Sequence, residues 1–233
     1  MSYIEVDSVK DMDFVRLAIT TKEVNAKSIS ELKSSDLNNV FTLDNLTSNI
    51  QIHSDVVYKV DESNVKKKRE GDALVTNLKN VPLMIFTADC VPVVMIDKKN
   101  KAIGVAHAGW KGTYAEISKN TISLMKKEYG TDPKDLVCVI GPSIGECCYE
   151  VSEDLYLKFK DKFKEAEDIC SIEDSKFFLN LWNINKYSLV NEGVLESNIT
   201  SMNICTNCNS DTFYSYRAHD KTDKRIGTIV EIV

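Results

Sequence analysis

The sequence predicts an α/β (α+β) sandwich, mixed β-sheets covered by helices, and three observations carry that expectation. The middle of the chain holds short runs that are apolar on both faces, which only a sheet covered on both sides can bury. A stripe of apolar residues at helical spacing follows them. Strand-like and helix-like segments then alternate as far as the C-terminus.

Taken in order, the N-terminal quarter is polar and weakly patterned, with short strands expected at Phe14–Thr20 and Asn49–His53. Pro82–Thr87 and Val93–Asp97 are apolar runs of strand length, and the turn Lys98-Lys99-Asn100 leads into a further strand, Ala102–Ala106. Thr113 and Glu116 have the spacing of a capping box. They open a helix whose inner face is Tyr114, Ile117, Thr121, Leu124 and Met125, and Gly130 closes it with Pro133 just beyond. Asp135–Ile140 reads as a buried strand ending in the loop Gly141-Pro-Ser-Ile-Gly145. A second helix is expected from Ser152 to about Ala166, stacking Leu155, Phe159 and Phe163, and a third over Leu181–Asn191, closed by Gly193. Strands at Thr200–Cys205 and Ile226–Val233 finish the chain. With no repeat, low-complexity tract or linker-like stretch, a single domain, residues 1–233, is the expected organisation.

Composition narrows the function. A net charge of −6 favours neither nucleic acid nor an anionic membrane as partner. The basic run Lys66–Arg69 is followed by Glu70 and reads as a solvated loop or, less readily, an anion site. The N-terminal MSYIEVDSVKDMDF is acidic without an apolar stretch, so neither a signal nor a transit peptide is expected. The most apolar run, Val81–Ile96, is broken by two prolines and Asp89, so no membrane span is expected. Seven cysteines in a chain long enough to need no disulfide fit a reducing, cytoplasmic compartment.

Only three histidines exist: His53, His107 and His219. His107 sits at the mouth of a strand among small residues, Ala106-His-Ala108-Gly109, and reads equally as a site residue or a satisfied buried imidazole. Cys90 ends another strand, where a lone cysteine serves as core residue, ligand or nucleophile. Asp89 beside it needs a partner or a task, and His53 closes a third strand-to-loop junction. If His53, Cys90 and His107 converge, they make a three-ligand zinc site with an open fourth position, the catalytic pattern. Cys205 and Cys208 form a C-x-x-C that with Cys147 and Cys148 either binds metal or is a group of ordinary thiols. No P-loop and no G-x-G-x-x-G is present. The turn Gly109–Thr113 with Lys111 feeds a helix start that either holds phosphate or simply caps the helix.

Several segments together resemble one family: Gln51-Ile-His53-Ser54, Thr87-Ala-Asp-Cys90-Val-Pro92, His107-Ala-Gly-Trp-Lys-Gly112, Gly141-Pro-Ser-Ile-Gly145 with Tyr149-Glu-Val151, and Cys205-Thr206 with Phe213-Tyr-Ser-Tyr-Arg217. In this order they are similar to the laccase-domain family, also called multicopper polyphenol oxidoreductase or peptidoglycan editing factor. The resemblance implies a cytotoxic-necrotizing-factor/laccase-domain-like sandwich and one zinc ion held by His53, Cys90 and His107. It also implies phosphorolysis of purine nucleosides (adenosine, inosine and methylthioadenosine) together with adenosine deamination. On that reading the catalytic candidates are Cys90, His107 and Asp89, with Asp89 in a supporting or proton-handling role, and Lys111 and Arg217 are the candidates for binding phosphate or substrate anions. The family's Asn-Arg pair ahead of the first histidine motif has no counterpart here, and its Thr-Gly-Arg appears as Thr222-Asp-Lys-Arg225. Copper oxidation of the kind in the family's older name needs many imidazoles, which three histidines do not supply, so copper is disfavoured. Two rival readings are a cysteine hydrolase or amidase of cell-wall peptides, with Cys90 as nucleophile and His107 as its base, and a zinc-stabilised binding module without catalysis. The oligomeric state is not legible.

Overall fold

The computed structural model describes residues 1–233. In chain order the strands and helices are β1 (Tyr3–Glu5), β2 (Val15–Thr20), α1 (Ile29–Ser34), β3 (Val57–Lys59), β4 (Ala73–Thr76), β5 (Leu83–Thr87), β6 (Val91–Asp97) and β7 (Ala102–Ala108). They continue with α2 (Trp110–Tyr114), α3 (Ile117–Tyr129), β8 (Leu136–Ile140), β9 (Glu150–Val151), α4 (Glu153–Lys162), β10 (Cys170–Glu173), β11 (Lys176–Leu179), α5 (Leu181–Asn191), β12 (Ile199–Ser201) and β13 (Ile226–Ile232).

A six-stranded mixed sheet, ordered β12-β8-β6-β7-β4-β3, is the centre of the molecule. Its inner pairs are antiparallel, and the outer pairs β12–β8 and β3–β4 are parallel. One face meets a four-stranded antiparallel sheet, β1-β2-β13-β5. Val94, Ile96, Ile103, Val105 and Val139 pack there against Leu17, Ile19, Leu83, Ile85 and Val230. The opposite face meets helices: Val91, Val93, Met95, Ala106 and Cys138 pack against Ile117, Ile122 and Met125 of α3, Phe159 of α4 and Ile184 of α5. Alternate residues of β6 thus serve two different cores. That is why Val91–Ile96 is apolar without a break and β6 is buried at every position. A third small core under α1 covers the outer face of the four-stranded sheet through Ala18, Met84 and Ile229. The α/β sandwich with mixed sheets and covering helices is the architecture expected from the sequence.

Two expectations are corrected. Thr113 and Glu116 do not form a capping box: the helical stretch breaks between α2 and α3, and Glu116 sits in the left-handed region with φ 59°. Its carboxylate lies 3.3 Å from Lys162, while the Thr113 hydroxyl donates to the Ala108 carbonyl at 3.0 Å and accepts from Asn185. Tertiary partners therefore outbid the local reciprocal bonds. Asn49–His53 is not a strand either. Ile50 makes one isolated bridge to Glu70, after which the chain wraps around the Asp72 carboxylate. Gly130 and Gly193 do close their helices, at φ 68° and 98°. The hairpin β10–β11, which pairs with β9, was not read from the sequence, nor was β4.

Candidate active site

Strand register brings the site together. In the central sheet Val91 pairs with Ala108, Pro92 with His107, and Ala73 with Ala106. Cys90, which precedes β6, and Asp72, which precedes β4, therefore flank the end of β7, where His107 stands. Pro92 is tolerated because its carbonyl accepts from Gly141 (3.0 Å) while the His107 amide turns the other way, to the Asp72 carbonyl (2.7 Å).

Asp72 organises this end of the sheet. Its fully buried carboxylate accepts from the amides of Ile52 (3.2 Å), His53 (3.0 Å) and Ser54 (2.7 Å), and from the Ser54 hydroxyl (2.7 Å). This ring of donors holds His53 at φ 60°, a left-handed conformation that costs on the order of 1–3 kcal/mol unless the surroundings impose it. The same carboxylate accepts a hydrogen bond from His107 Nδ1–H at 2.8 Å, which leaves the other ring nitrogen to face a ligand. Burial alone would push the Asp72 carboxyl up, but the bonds from His107 and Ser54 prevail and hold it below its ordinary range. Asp72 was not singled out from the sequence. The available signal was an aspartate at the head of the apolar run Ala73–Thr76.

The ligand atoms of His53, Cys90 and His107 all lie within 4.8 Å of one another, with Cys90 Sγ 4.0 Å from His53 Nε2. The two imidazoles meet edge to face with centroids 4.8 Å apart. Gly109 makes the convergence possible: a Cβ there would stand 2.9 Å from Cys90 Sγ and 3.2 Å from His53 Cδ2. Burial disfavours the Cys90 thiolate, yet His107 and His53 outweigh it and pull the thiol down to about 6. Burial likewise disfavours protonated His107, yet Cys90 and Asp72 raise it to about 9. Two imidazoles and an easily ionised thiol, with a glycine keeping the space between them clear, suit a divalent metal ion of borderline softness.

Asp89 has a different task. Its side chain is buried, and its oxygens accept from the Thr206 hydroxyl (2.7 Å) and the Arg217 amide (2.8 Å), while its carbonyl accepts from Ile144 (2.9 Å). These bonds hold the residue at φ 83° and join three loops behind Cys90. Both carboxylate oxygens of Asp89 are thus engaged by neighbouring loops. Beside the triad opens a cleft of about 700 Å³ lined by Trp110, Tyr149, Glu150 and Arg217 among others. Arg217 lies over the Tyr149 ring at 5.5 Å and donates to the Glu150 carbonyl at 3.0 Å. Lys111 is exposed on α2, with its ammonium 5.6 Å from the Trp110 ring, and does not line the cleft. The triad itself lines neither this cleft nor a smaller depression of about 350 Å³ between α1 and the Lys66–Lys68 segment. His219 is also apart, with Nδ1 near the Ser215 amide.

The chain is similar to several known proteins. The chain is 36% identical over 182 residues to "Purine nucleoside phosphorylase CA_C1699" of Clostridium acetobutylicum, covering 77% of this chain and 74% of the relative. It is 40% identical over 151 residues to a Bacteroides thetaiotaomicron purine nucleoside phosphorylase, covering 63% of this chain and 55% of that protein. It is also 33% identical to "Adenosine deaminase RL5" of an unknown prokaryotic organism, over 75% of this chain and 70% of the relative. The crystal structure of the Bacillus licheniformis hypothetical protein YfiH superposes with a TM-score of 0.90 at 26% identity, covering 100% of this chain and 97% of that one. The model of the multi-copper polyphenol oxidoreductase laccase family matches residues 17–233, and this chain therefore belongs to that family.

Proposed function

We propose that this protein is a zinc-dependent purine nucleoside phosphorylase that also deaminates adenosine, with His53, Cys90 and His107 as metal ligands. The observation that carries the reading is the convergence of those three donors beside a cleft with aromatic walls and an arginine. Relatives whose names specify purine nucleoside phosphorylase and adenosine deaminase support the same substrate class. A zinc ion held there would supply a Lewis acid able to polarise an oxygen or to lower the pKa of water near neutral pH.

In phosphorolysis, a phosphate oxygen forms a bond to C1′ of the ribose as the C1′–N9 bond breaks. The bonding pair leaves with the base, which takes up a proton, and the products are free purine and ribose 1-phosphate. Trp110 and Tyr149 give the purine faces to lie against, and the Arg217 guanidinium attracts the phosphate dianion. Asp72 fixes the tautomer and orientation of His107, and Asp89 fixes the loop that carries Cys90. Deamination of the same substrate exchanges the purine amino group for a water oxygen and releases ammonia. Residues 1–233 act as a single catalytic unit, and the seven free thiols suit a cytoplasmic setting. No helix is long and apolar enough to cross a membrane.

One observation favours a second reading, a cysteine hydrolase. A thiol near 6 beside an imidazole near 9 forms a thiolate–imidazolium pair at neutral pH. The test is chromatography of products after incubation with adenosine or inosine, with and without phosphate. Under the zinc reading free base appears only with phosphate, is lost on chelation and returns with added zinc. Intact nucleosides throughout, together with amidase activity that survives chelation and is destroyed by alkylation, would select the hydrolase instead.

A further inference from the structure

Four sulfurs from two distant segments converge outside the triad. Cys147 and Cys148 lie in the short turn after Gly145, and Cys205 and Cys208 in the loop that follows β12. The two segments are joined where Ser143 bridges Cys205, with the Ser143 amide on the Ile204 carbonyl (3.1 Å) and the Thr206 amide on the Ser143 carbonyl (3.0 Å). Cys208 Sγ lies 3.4 Å from that of Cys148 and 3.7 Å from that of Cys147, and the Cys147 and Cys148 sulfurs are 3.7 Å apart. All four Sγ atoms fall within 4.8 Å of one another.

These separations discriminate between possible fates. Sulfurs at the corners of a tetrahedron around zinc, at the usual Zn–S length of about 2.3 Å, stand about 3.8 Å apart. A disulfide is far shorter, about 2.05 Å, and none of these cysteines is paired in one. A cluster of several irons would spread its sulfurs more widely, because the four cysteines are divided among separate irons.

Backbone donors also favour a thiolate at Cys205. Cys205 Sγ accepts the Gly145 amide at 3.3 Å and a further backbone bond from Cys208. The C-x-x-C turn is fixed by Asn209, whose backbone amide (3.0 Å) and side chain (2.8 Å) both donate to the Cys205 carbonyl. Gly145 leaves the space that the cluster fills: a Cβ there would meet Trp182 at 2.8 Å and Cys147 Sγ at 3.3 Å.

We propose that Cys147, Cys148, Cys205 and Cys208 form a second metal site, a closed four-thiolate zinc centre separate from the His53–Cys90–His107 centre. Four sulfur ligands leave no open position, which is the structural pattern. The ion ties the loop leading to Tyr149 to the loop bearing Thr206, whose hydroxyl holds Asp89 behind Cys90. One wall of the cleft and the brace behind the catalytic centre are thereby fixed together.

The test is zinc uptake by chelated, reduced full-length protein, read by mass spectrometry of the native state and by cobalt substitution. Wild type is expected to take two equivalents and C147S/C208S one. H53A/C90A is expected to keep one, with the intense sulfur-to-cobalt charge transfer of four thiolates. A wild type that takes one equivalent, with none left in H53A/C90A, would overturn the proposal. So would iron rather than zinc in H53A/C90A purified from cells. Should C147S/C208S fail to fold, the cobalt spectrum of H53A/C90A alone still decides. Because that variant lacks the triad, the result does not depend on whether the triad binds zinc or catalyses phosphorolysis.

Discussion

At the scale of single residues, Asp72 determines more of the site than any metal-binding candidate does. It orients one imidazole by a side-chain bond and shapes the backbone that presents the other. D72N keeps the shape but removes the charge and an acceptor. Zinc affinity is expected to fall about 10- to 100-fold, the usual cost of losing such a partner, as read by competition with a chromogenic chelator. In metal-free protein the same change lowers the His107 pKa and so weakens its hold on the Cys90 thiolate. Alkylation of Cys90 in metal-free wild type is expected to rise through a midpoint near 6, far below the ordinary ~8.5, and D72N should move that midpoint upward. An unchanged midpoint would mean that Asp72 does not act through His107.

The signs of the accompanying stability effects differ. The Cys90 contribution is present above the unfolded thiol pKa and is lost as pH falls through about 6. The His107 contribution is present below about 6.5 and is lost as pH rises through about 9. Because one contribution grows as the other shrinks between about pH 6 and 9, the melting temperature of chelated protein should vary little across this range. For G109A, the close approach of the new Cβ to Cys90 and His53 predicts loss of triad zinc while circular dichroism stays close to wild type.

At the scale of elements, β6, β7 and β4 were unequally legible. Runs of Val and Ile announce β6 and β7, because both faces of those strands are buried. β4 is only four residues, Ala-Leu-Val-Thr, too short for a pattern, and so its aspartate went unread. The turn of the β10–β11 hairpin uses Asp174 and Ser175 at positive φ, a weaker signal than Asn-Gly. Helix ends with glycine were legible, whereas the break before α3 depended on Lys162, 46 residues beyond Glu116, and so left no local trace. Gly104 of β7 lets α3 lie close to the sheet, since a Cβ would stand 3.1 Å from both Met125 and Thr121. G104V should therefore cost about 1–3 kcal/mol by overpacking, measured by urea unfolding, with zinc still bound. A loss below ~0.5 kcal/mol would show that α3 is free to shift.

At the scale of the whole molecule, a doubly covered sheet brings one end of each of three neighbouring strands, β6, β7 and β4, together where the triad assembles. The sandwich and the three donors were legible because the donors sit within linked motifs, Cys90 and His107 at strand ends. Their coordination by Asp72 was not, since it depends on register between strands far apart in sequence. The four cysteines were legible as a possible metal-binding group, but their convergence depends on contacts between segments far apart in sequence. Copper oxidation, named in the family's description, would require more imidazoles than the three this chain contains.

The most direct measurement of the central claim is X-ray absorption at the zinc edge of C147S/C208S, which isolates the triad. One zinc per chain bound by two imidazole nitrogens and one sulfur, with a light atom in the fourth position, is the expected result. Protein without zinc, or zinc bound without any sulfur, would contradict it.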